Sequence, residues 1–240
     1  MKFVIGDIHG EITKLKLLVK FIKNIDDKPE LIFIGDYLDK GESSKKTLDF
    51  LIKLKNQFKC LFIEGNHEYQ WLNVSKENNI EEYLLKYGGL STIDSFSNIE
   101  NISQMKKLLL SQYGDFFKNL IPYWENENYV ITHSGIPPEC YNKKLKDINK
   151  RLLLFNRYDF IKIEKKYFNK IIIFGHTGFF SPYYDGVKIG LDTAACYFKN
   201  QPITAFCLEK SFFINSDNLK KNLKEINLNF CPNIARYYLN

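Results

Sequence analysis

The chain has no apolar run approaching the ~20 residues that a bilayer-spanning helix needs, so no membrane-embedded protein is expected. It has no C-x-x-C pair. Its five cysteines (Cys60, Cys140, Cys196, Cys207 and Cys231) are odd in number and scattered, which speaks against a disulfide framework or a thiolate metal site and for idle thiols in a reducing compartment. It has no charged n-region and apolar h-region ahead of a small-residue cleavage site, because the strand-like run Lys2–Ile5 begins at once. A cytoplasmic location is the expectation that follows. No segment combines dense Lys and Arg with a groove-reading pattern. The net charge of +6 comes from lysines set among acids, such as Lys143, Lys144, Lys146 and Lys150, so a solvated surface is expected, with no nucleic-acid partner. Internal repeats, low-complexity tracts and domain linkers are also missing.

What is present is a chain of 240 residues with 45% apolar content, enough for a sizeable core in one domain over 1–240. Short β-branched and aromatic runs end abruptly in glycine or in a polar residue able to do chemistry. Lys2–Ile5 ends in Gly6-Asp7-Ile8-His9-Gly10, and Leu31–Ile34 in Gly35-Asp36-Tyr37-Leu38-Asp39-Lys40-Gly41. Cys60–Ile63 leads to Gly65-Asn66-His67-Glu68, Tyr129–Thr132 to His133, and Ile171–Phe174 to Gly175-His176-Thr177. Nearly continuous apolar runs of this length suit strands buried on both faces. Between the first three lie helical stripes, Leu15, Leu18, Val19 and Ile22, then Leu48, Leu51, Ile52 and Leu54. The alternation predicts βαβ units, an α/β fold whose polar groups gather at strand carboxyl ends.

Residues 69–128 lack a strand-end motif and read as a helical insertion, with turns at Asn78-Asn79 and Gly88-Gly89. The runs Val187–Leu191, Ile203–Leu208 and Phe212–Ile214 predict a second, antiparallel sheet, and from about Asn218 a tail of obscure role carries a short helix.

The chain has only four histidines, His9, His67, His133 and His176, each at the end of a predicted strand. Packing would scatter them over faces and surface. Asp7, Asp36, Asp39 and Asn66 stand beside them, and imidazole with carboxylate suits Mn, Fe or Zn. Alone, Asp-x-His reads as a cap with a surface histidine, Gly-Asp as a helix cap, and Gly-Asn-His as a turn. Together and in order they point to a metal site.

In that order and spacing the motifs resemble the PPP-type, calcineurin-like metallophosphoesterases, with G-D-x-H-G, G-D-x-x-D-R-G, G-N-H-E and two later histidines. Tyr83–Phe96, with its Gly-Gly and Thr-x-x-Ser, and Asp192-Thr193 extend the likeness to roughly residues 1–210. The resemblance implies a central β-sandwich of mixed sheets flanked by helices. It also implies a hydrolase cutting phosphomonoesters by in-line attack of a hydroxide held by two divalent metals, Mn²⁺ foremost with Fe or Zn as alternatives. Asp7 and His9 would bind the first metal, Asp36 would bridge, and Asn66, His133 and His176 would complete the second. His67 would be the general acid and Asp39 its orienting partner. Lys40, Arg157 and Asn66 would grip the phosphate. Lys40 departs from the family's arginine, and an ammonium offers a point charge in place of a bidentate fork.

Glu68 and the Asp39 that precedes Lys40 favour a phosphoprotein phosphatase, acting on phosphoserine, phosphothreonine or phosphotyrosine, over a dinucleoside polyphosphate or other nucleotide hydrolase. Gly178, where a second histidine would stand, separates the chain from the cyclic-nucleotide branch. A dead scaffold would lack one of the metal-binding positions, and all are present.

Overall fold

The computed structural model describes residues 1–74 and 80–225. The strands β1 (Lys2–Ile5), β2 (Glu30–Phe33) and β3 (Lys59–Phe62) alternate with the helices α1 (Ile12–Ile25) and α2 (Ser44–Lys55). Then come α3 (Asn66–Asn73), α4 (Ile80–Lys86), α5 (Gly89–Asp94), α6 (Ile102–Gln112) and α7 (Gly114–Lys118). β4 (Tyr123–Glu125) and β5 (Tyr129–Thr132) precede the single turn α8 (Tyr158–Ile161), and β6 (Ile171–Phe174), β7 (Tyr183–Tyr184) and β8 (Lys188–Gly190) follow it. β9 (Thr204–Cys207), β10 (Phe212–Asn215) and β11 (Lys220–Asn222) come last among the strands.

Two mixed sheets result, in the orders β11-β10-β9-β1-β2-β3 and β4-β5-β6-β8-β7. β1 pairs parallel with β2, and β2 with β3, as the alternation requires. The period-two geometry of a strand sorts each apolar run between layers. In β1, Phe3 and Ile5 pack with the stripe Leu15, Leu18, Val19 and Ile22 of α1, while Val4 faces Ile32, Ile131, Ile173 and Ile189 between the sheets. In β6, Ile173 joins that inter-sheet layer, and Ile172 and Phe174 pack outward with Val130 and Phe160. Both faces of the central strands are therefore buried, which is why their sequences are unbroken in apolar residues. Each such side chain contributes about 1.5–3 kcal/mol by burial.

The expected second antiparallel sheet divides differently. β9 pairs antiparallel with β1 and β10 with β9, so they extend the first sheet; β8 pairs parallel with β6 and only β7 with β8 is antiparallel. Periodicity identifies a strand but not its partner, and the β9–β1 pairing joins residues some 200 positions apart in sequence. The helices expected over 69–128 end at Lys118, and Tyr123–Glu125 is instead the edge strand β4, antiparallel to β5. The turn expected at Asn78-Asn79 lies outside the described residues. In the tail that begins at about Asn218, β11 caps the sheet edge with lysines, which deter further pairing, and a short 3-10 helix follows at Leu223–Glu225. The rest of that tail, beyond 225, lies outside the described residues. No helix among them is long and apolar enough to cross a membrane.

Candidate metal centre and active site

All four histidines converge where the two sheets present their carboxyl ends. His9 follows β1, His67 lies in the first turn of α3 after β3, His133 follows β5, and His176 follows β6. The turns carrying them are tight. His9, Asp36, Asp39, Lys40 and His176 have φ values of 44°, 54°, 69°, 67° and 63°, the left-handed region that side chains avoid. Such residues cost on the order of 1–3 kcal/mol each and persist where surrounding bonds over-determine them. Here the Ile8 and His9 N–H groups both donate to the Asp36 carbonyl, at 3.1 and 2.8 Å, and the Gly41 N–H donates to the His9 carbonyl at 3.0 Å. Gly65 permits a close approach: a Cβ there would lie 2.3 Å from both N and Oδ1 of Asp36.

Asp36 is the centre. Its Oδ2 lies 3.2 Å from His9 Nε2 and its Oδ1 lies 3.4 Å from His133 Nε2. Asn66 Oδ1 lies 2.8 Å from His133 Nε2 and 2.7 Å from His176 Nδ1. Among the described residues two buried groups could each hold a metal ion, His9–Asp36–His67 and Asp36–His133–His176, sharing Asp36. The sequence expectation put Asp7 where the first group has His67. Asp7 Oδ2 accepts the His176 N–H at 2.9 Å, while its Oδ1 is buried without a hydrogen-bond partner.

The donor set fits cations on grounds of its own. His9 Nδ1 donates to the Leu38 carbonyl at 2.7 Å, and His133 Nδ1 to the Ile34 carbonyl at 2.9 Å. Burial pushes the pKa of His9, His133 and His176 down, so they are neutral imidazoles. Nε2 of His133 is then a lone pair aimed at the Asp36 and Asn66 side-chain oxygens, while Nε2 of His9, 3.2 Å from Asp36 Oδ2, accepts from the Lys40 ammonium. Acceptors facing acceptors repel unless a cation lies between them, and His176 Nε2 is likewise buried without a partner. Burial opposes charge on Asp36, and any positive charge on the facing His133, His67 and His9 draws its carboxyl well below the usual range. Asp7 is pushed well up by burial and by the carboxylates of Asp192 and Asp36, a charge cluster that a metal would relieve.

His67 Nδ1 donates to Asp39 Oδ2 at 2.6 Å, fixing the ring so that Nε2 points inward, 3.9 Å from Asp36 Oδ2. Asp39 Oδ1 accepts from Trp71 Nε1 at 2.9 Å and from the Thr92 hydroxyl at 2.5 Å. Thr92 lies in the quoted Thr-x-x-Ser segment, but its support of Asp39 was not read there. Glu68 works from inside the scaffold. Its carboxylate accepts the N–H groups of Gly65, Asp36, Tyr37 and Leu38, and it is fully buried.

A cleft of about 650 Å³ opens on this cluster, lined by His67, His176, Lys40, Arg157, Lys86, Phe155 and the tyrosines Tyr83, Tyr87 and Tyr197. Arg157 thus lies on the same cleft as Lys40, and its charge helps to lower the His176 pKa. Lys40 Nζ donates to His9 Nε2 at 2.8 Å and lies 4.9 Å from the Tyr197 ring centroid. The aromatic wall was not anticipated; tyrosines carry no spacing signal that marks them for a site.

A sequence profile of the calcineurin-like phosphoesterase family matches residues 3–180. The chain is 28% identical over 240 aligned positions to the asymmetrical bis(5'-nucleosyl)-tetraphosphatase PrpE of Oceanobacillus iheyensis, covering 88% of this chain and 90% of that protein. It is 33% identical over 142 residues to the symmetrical bis(5'-nucleosyl)-tetraphosphatase of a Marinomonas species; the match takes in 58% of this chain and spans less than half, 46%, of that relative. A cold-active protein-tyrosine phosphatase of a psychrophilic Shewanella shares the fold, with a TM-score of 0.60 at 14% identity over 92% of this chain and 80% of that one. The matched span holds every strand-end motif from Asp7 to His176, and this chain belongs to the calcineurin-like phosphoesterase family.

Proposed function

We propose that the protein is a dimetal phosphoesterase acting on nucleotides, with dinucleoside polyphosphates of the diadenosine tetraphosphate type as its substrate class. The observation that carries this is the cleft beside the histidine cluster, where Lys40, Lys86 and Arg157 are interleaved with Tyr83, Tyr87, Tyr197 and Phe155. Cations suit a polyphosphate chain, and aromatic faces suit bases, each stack being worth about 1–3 kcal/mol. The activities for which the two tetraphosphatase relatives are named support the same reading.

Asp7, His9 and Asp36 would hold one divalent ion and Asp36, Asn66, His133 and His176 the other, with Mn²⁺ suited to this imidazole–carboxylate set. Bound there, the ions supply positive charge against phosphoryl oxygens and activate water near neutral pH. His67, oriented by Asp39, delivers a proton to the leaving oxygen; Lys40, Arg157 and the Asn66 amide hold the phosphoryl group. Glu68, which by resemblance favours a protein phosphatase, has its oxygens on backbone donors and bears little on substrate choice. A phosphoprotein phosphatase is the second reading, favoured by Asp39 standing before Lys40. Turnover of diadenosine tetraphosphate against a phosphopeptide by the Mn²⁺-loaded enzyme decides: faster cleavage of the phosphopeptide overturns the nucleotide reading.

A further inference from the structure

Tyr83 lies on α4, in the segment that follows the third strand-end motif and contributes none of the family's metal-site residues. Its hydroxyl accepts from Asn66 Nδ2 at 3.3 Å. Asn66 Oδ1 faces His133 and His176, so the amide is turned with its oxygen toward the second metal group and its nitrogen toward the cleft. The phenol thus stands beside the face of Asn66 that would meet a phosphoryl oxygen. Three charges reach it there, those of Asp36, Arg157 and Lys40. A phenol keeps its proton at physiological pH, so Tyr83 is a neutral O–H donor there. With one lone pair engaged by Asn66, the hydrogen is left to donate.

The ring has a second aspect. Tyr83 and Tyr87 lie with centroids 4.3 Å apart at 40°, and Lys86 Nζ sits 5.5 Å from the Tyr87 centroid. Tyr87 is 39% exposed, so this pair forms a shelf running outward from the phosphoryl position. The shelf is tied to the phosphate loop, since the Lys40 N–H donates to the Gly88 carbonyl at 3.1 Å.

We propose that Tyr83 contacts the substrate directly: its hydroxyl donates to a non-bridging phosphoryl oxygen beside Asn66, and its ring with Tyr87 forms the shelf on which a nucleotide base stacks. The shelf rests on the nucleotide reading above; the hydroxyl role holds for any phosphoester. Tyr83→Phe removes the donor and keeps the shelf, whereas Tyr87→Leu removes the shelf and keeps the donor. Both are assayed in the Mn²⁺-loaded full chain on 4-nitrophenyl phosphate and on diadenosine tetraphosphate, with inhibition by inorganic phosphate and Mn²⁺ content measured in parallel.

Tyr83→Phe is expected to lower kcat/KM about 10-fold on both substrates and to weaken phosphate inhibition by a similar factor, the range for a hydrogen bond to a charged group, with Mn²⁺ content unchanged. Tyr87→Leu is expected to raise KM about 10-fold for diadenosine tetraphosphate alone. Unaltered kcat/KM and phosphate inhibition in Tyr83→Phe overturn the hydroxyl role. A fall in Mn²⁺ content that accounts for the loss also overturns it, because Tyr83 would then act only through Asn66. An unaltered KM in Tyr87→Leu removes the shelf. If the wild type instead prefers the phosphopeptide, the nucleotide reading and the shelf fail together, and the 4-nitrophenyl phosphate and phosphate results still decide the hydroxyl.

Discussion

Replacing Glu68 by glutamine exchanges one oxygen for an amide and changes almost nothing in volume, so its effect isolates hydrogen bonding. Oε2 of Glu68 accepts from Asp36 N at 2.9 Å and Gly65 N at 3.1 Å; Oε1 accepts from Tyr37 N at 2.8 Å and Leu38 N at 3.3 Å. A glutamine can satisfy only one of these pairs, and its NH₂ must face the other. Two buried N–H groups are left unpaired at about 1–3 kcal/mol each, and the donor–donor contact adds to that. We expect Glu68→Gln to lose about 3–5 kcal/mol, a large part of the ~5–15 kcal/mol that holds a typical domain together. Glu68→Ala orphans all four donors and is expected to unfold the chain or to lose more still. Urea unfolding followed by circular dichroism, with chelator present so that metal binding adds nothing, measures the difference. A Glu68→Gln protein within about 0.5 kcal/mol of wild type, the usual scatter of a surface change, would refute this account of the residue.

Asp36→Asn is expected to lower bound metal as well as kcat/KM, the latter by at least about 100-fold, and full metal loading with normal turnover would remove Asp36 from the centre. His67→Asn is expected to cut turnover by ~10²–10⁴-fold while metal content holds, with a smaller loss for nitrophenol leaving groups. Loss of metal in that variant would instead make His67 a ligand, as its grouping with His9 and Asp36 allows. Lys40→Ala is expected to lower kcat/KM about 10–100-fold and Arg157→Ala by at least as much, with Lys40→Arg tolerated; unchanged phosphate inhibition in Lys40→Ala would place that side chain outside the substrate's reach. Gly65→Ala, whose Cβ would meet Asp36 at 2.3 Å, is expected to cost about 1–3 kcal/mol in the same urea assay.

The strand-end motifs were legible because a strand buried on both faces leaves an unbroken apolar signature that stops where the chain reaches the site. β1, β2, β5 and β6 announce themselves this way, and Asp36, His9 and His133 follow directly. The pairing of β9 with β1 was not legible, since Phe3 and Cys207 become neighbours only after the chain has folded. Glu68 was visible as a letter in a motif, yet its work consists of backbone bonds to residues 36–38, which no side-chain pattern encodes. Tyr83 and Tyr87 were hidden for a related reason. An aromatic residue on a helix reads as core until its neighbours show that one ring edge borders an open cleft.

The helices after β3 explain why the strained loops hold their shape. Asp39, in the left-handed region, has its N–H bonded to Ser44 Oγ at 3.1 Å and Thr92 Oγ1 at 2.9 Å, and its carboxylate bonded to Trp71 and Thr92. Thr92 belongs to α5 and Trp71 to α3, so the partner of His67 is fixed from the helices that follow β3. Lys40, also left-handed, is tied by its N–H to Gly88 between α4 and α5. A loop strained by several residues relaxes if any tether goes, because the cost of each left-handed residue is recovered by moving away. The segment after β3 therefore does more than wall the cleft. It supplies the bonds that keep Asp39, and through it the His67 imidazole, in one orientation before any substrate arrives. Thr92→Val, which keeps the shape and deletes the hydroxyl, should accordingly lower turnover through His67 while leaving metal content intact.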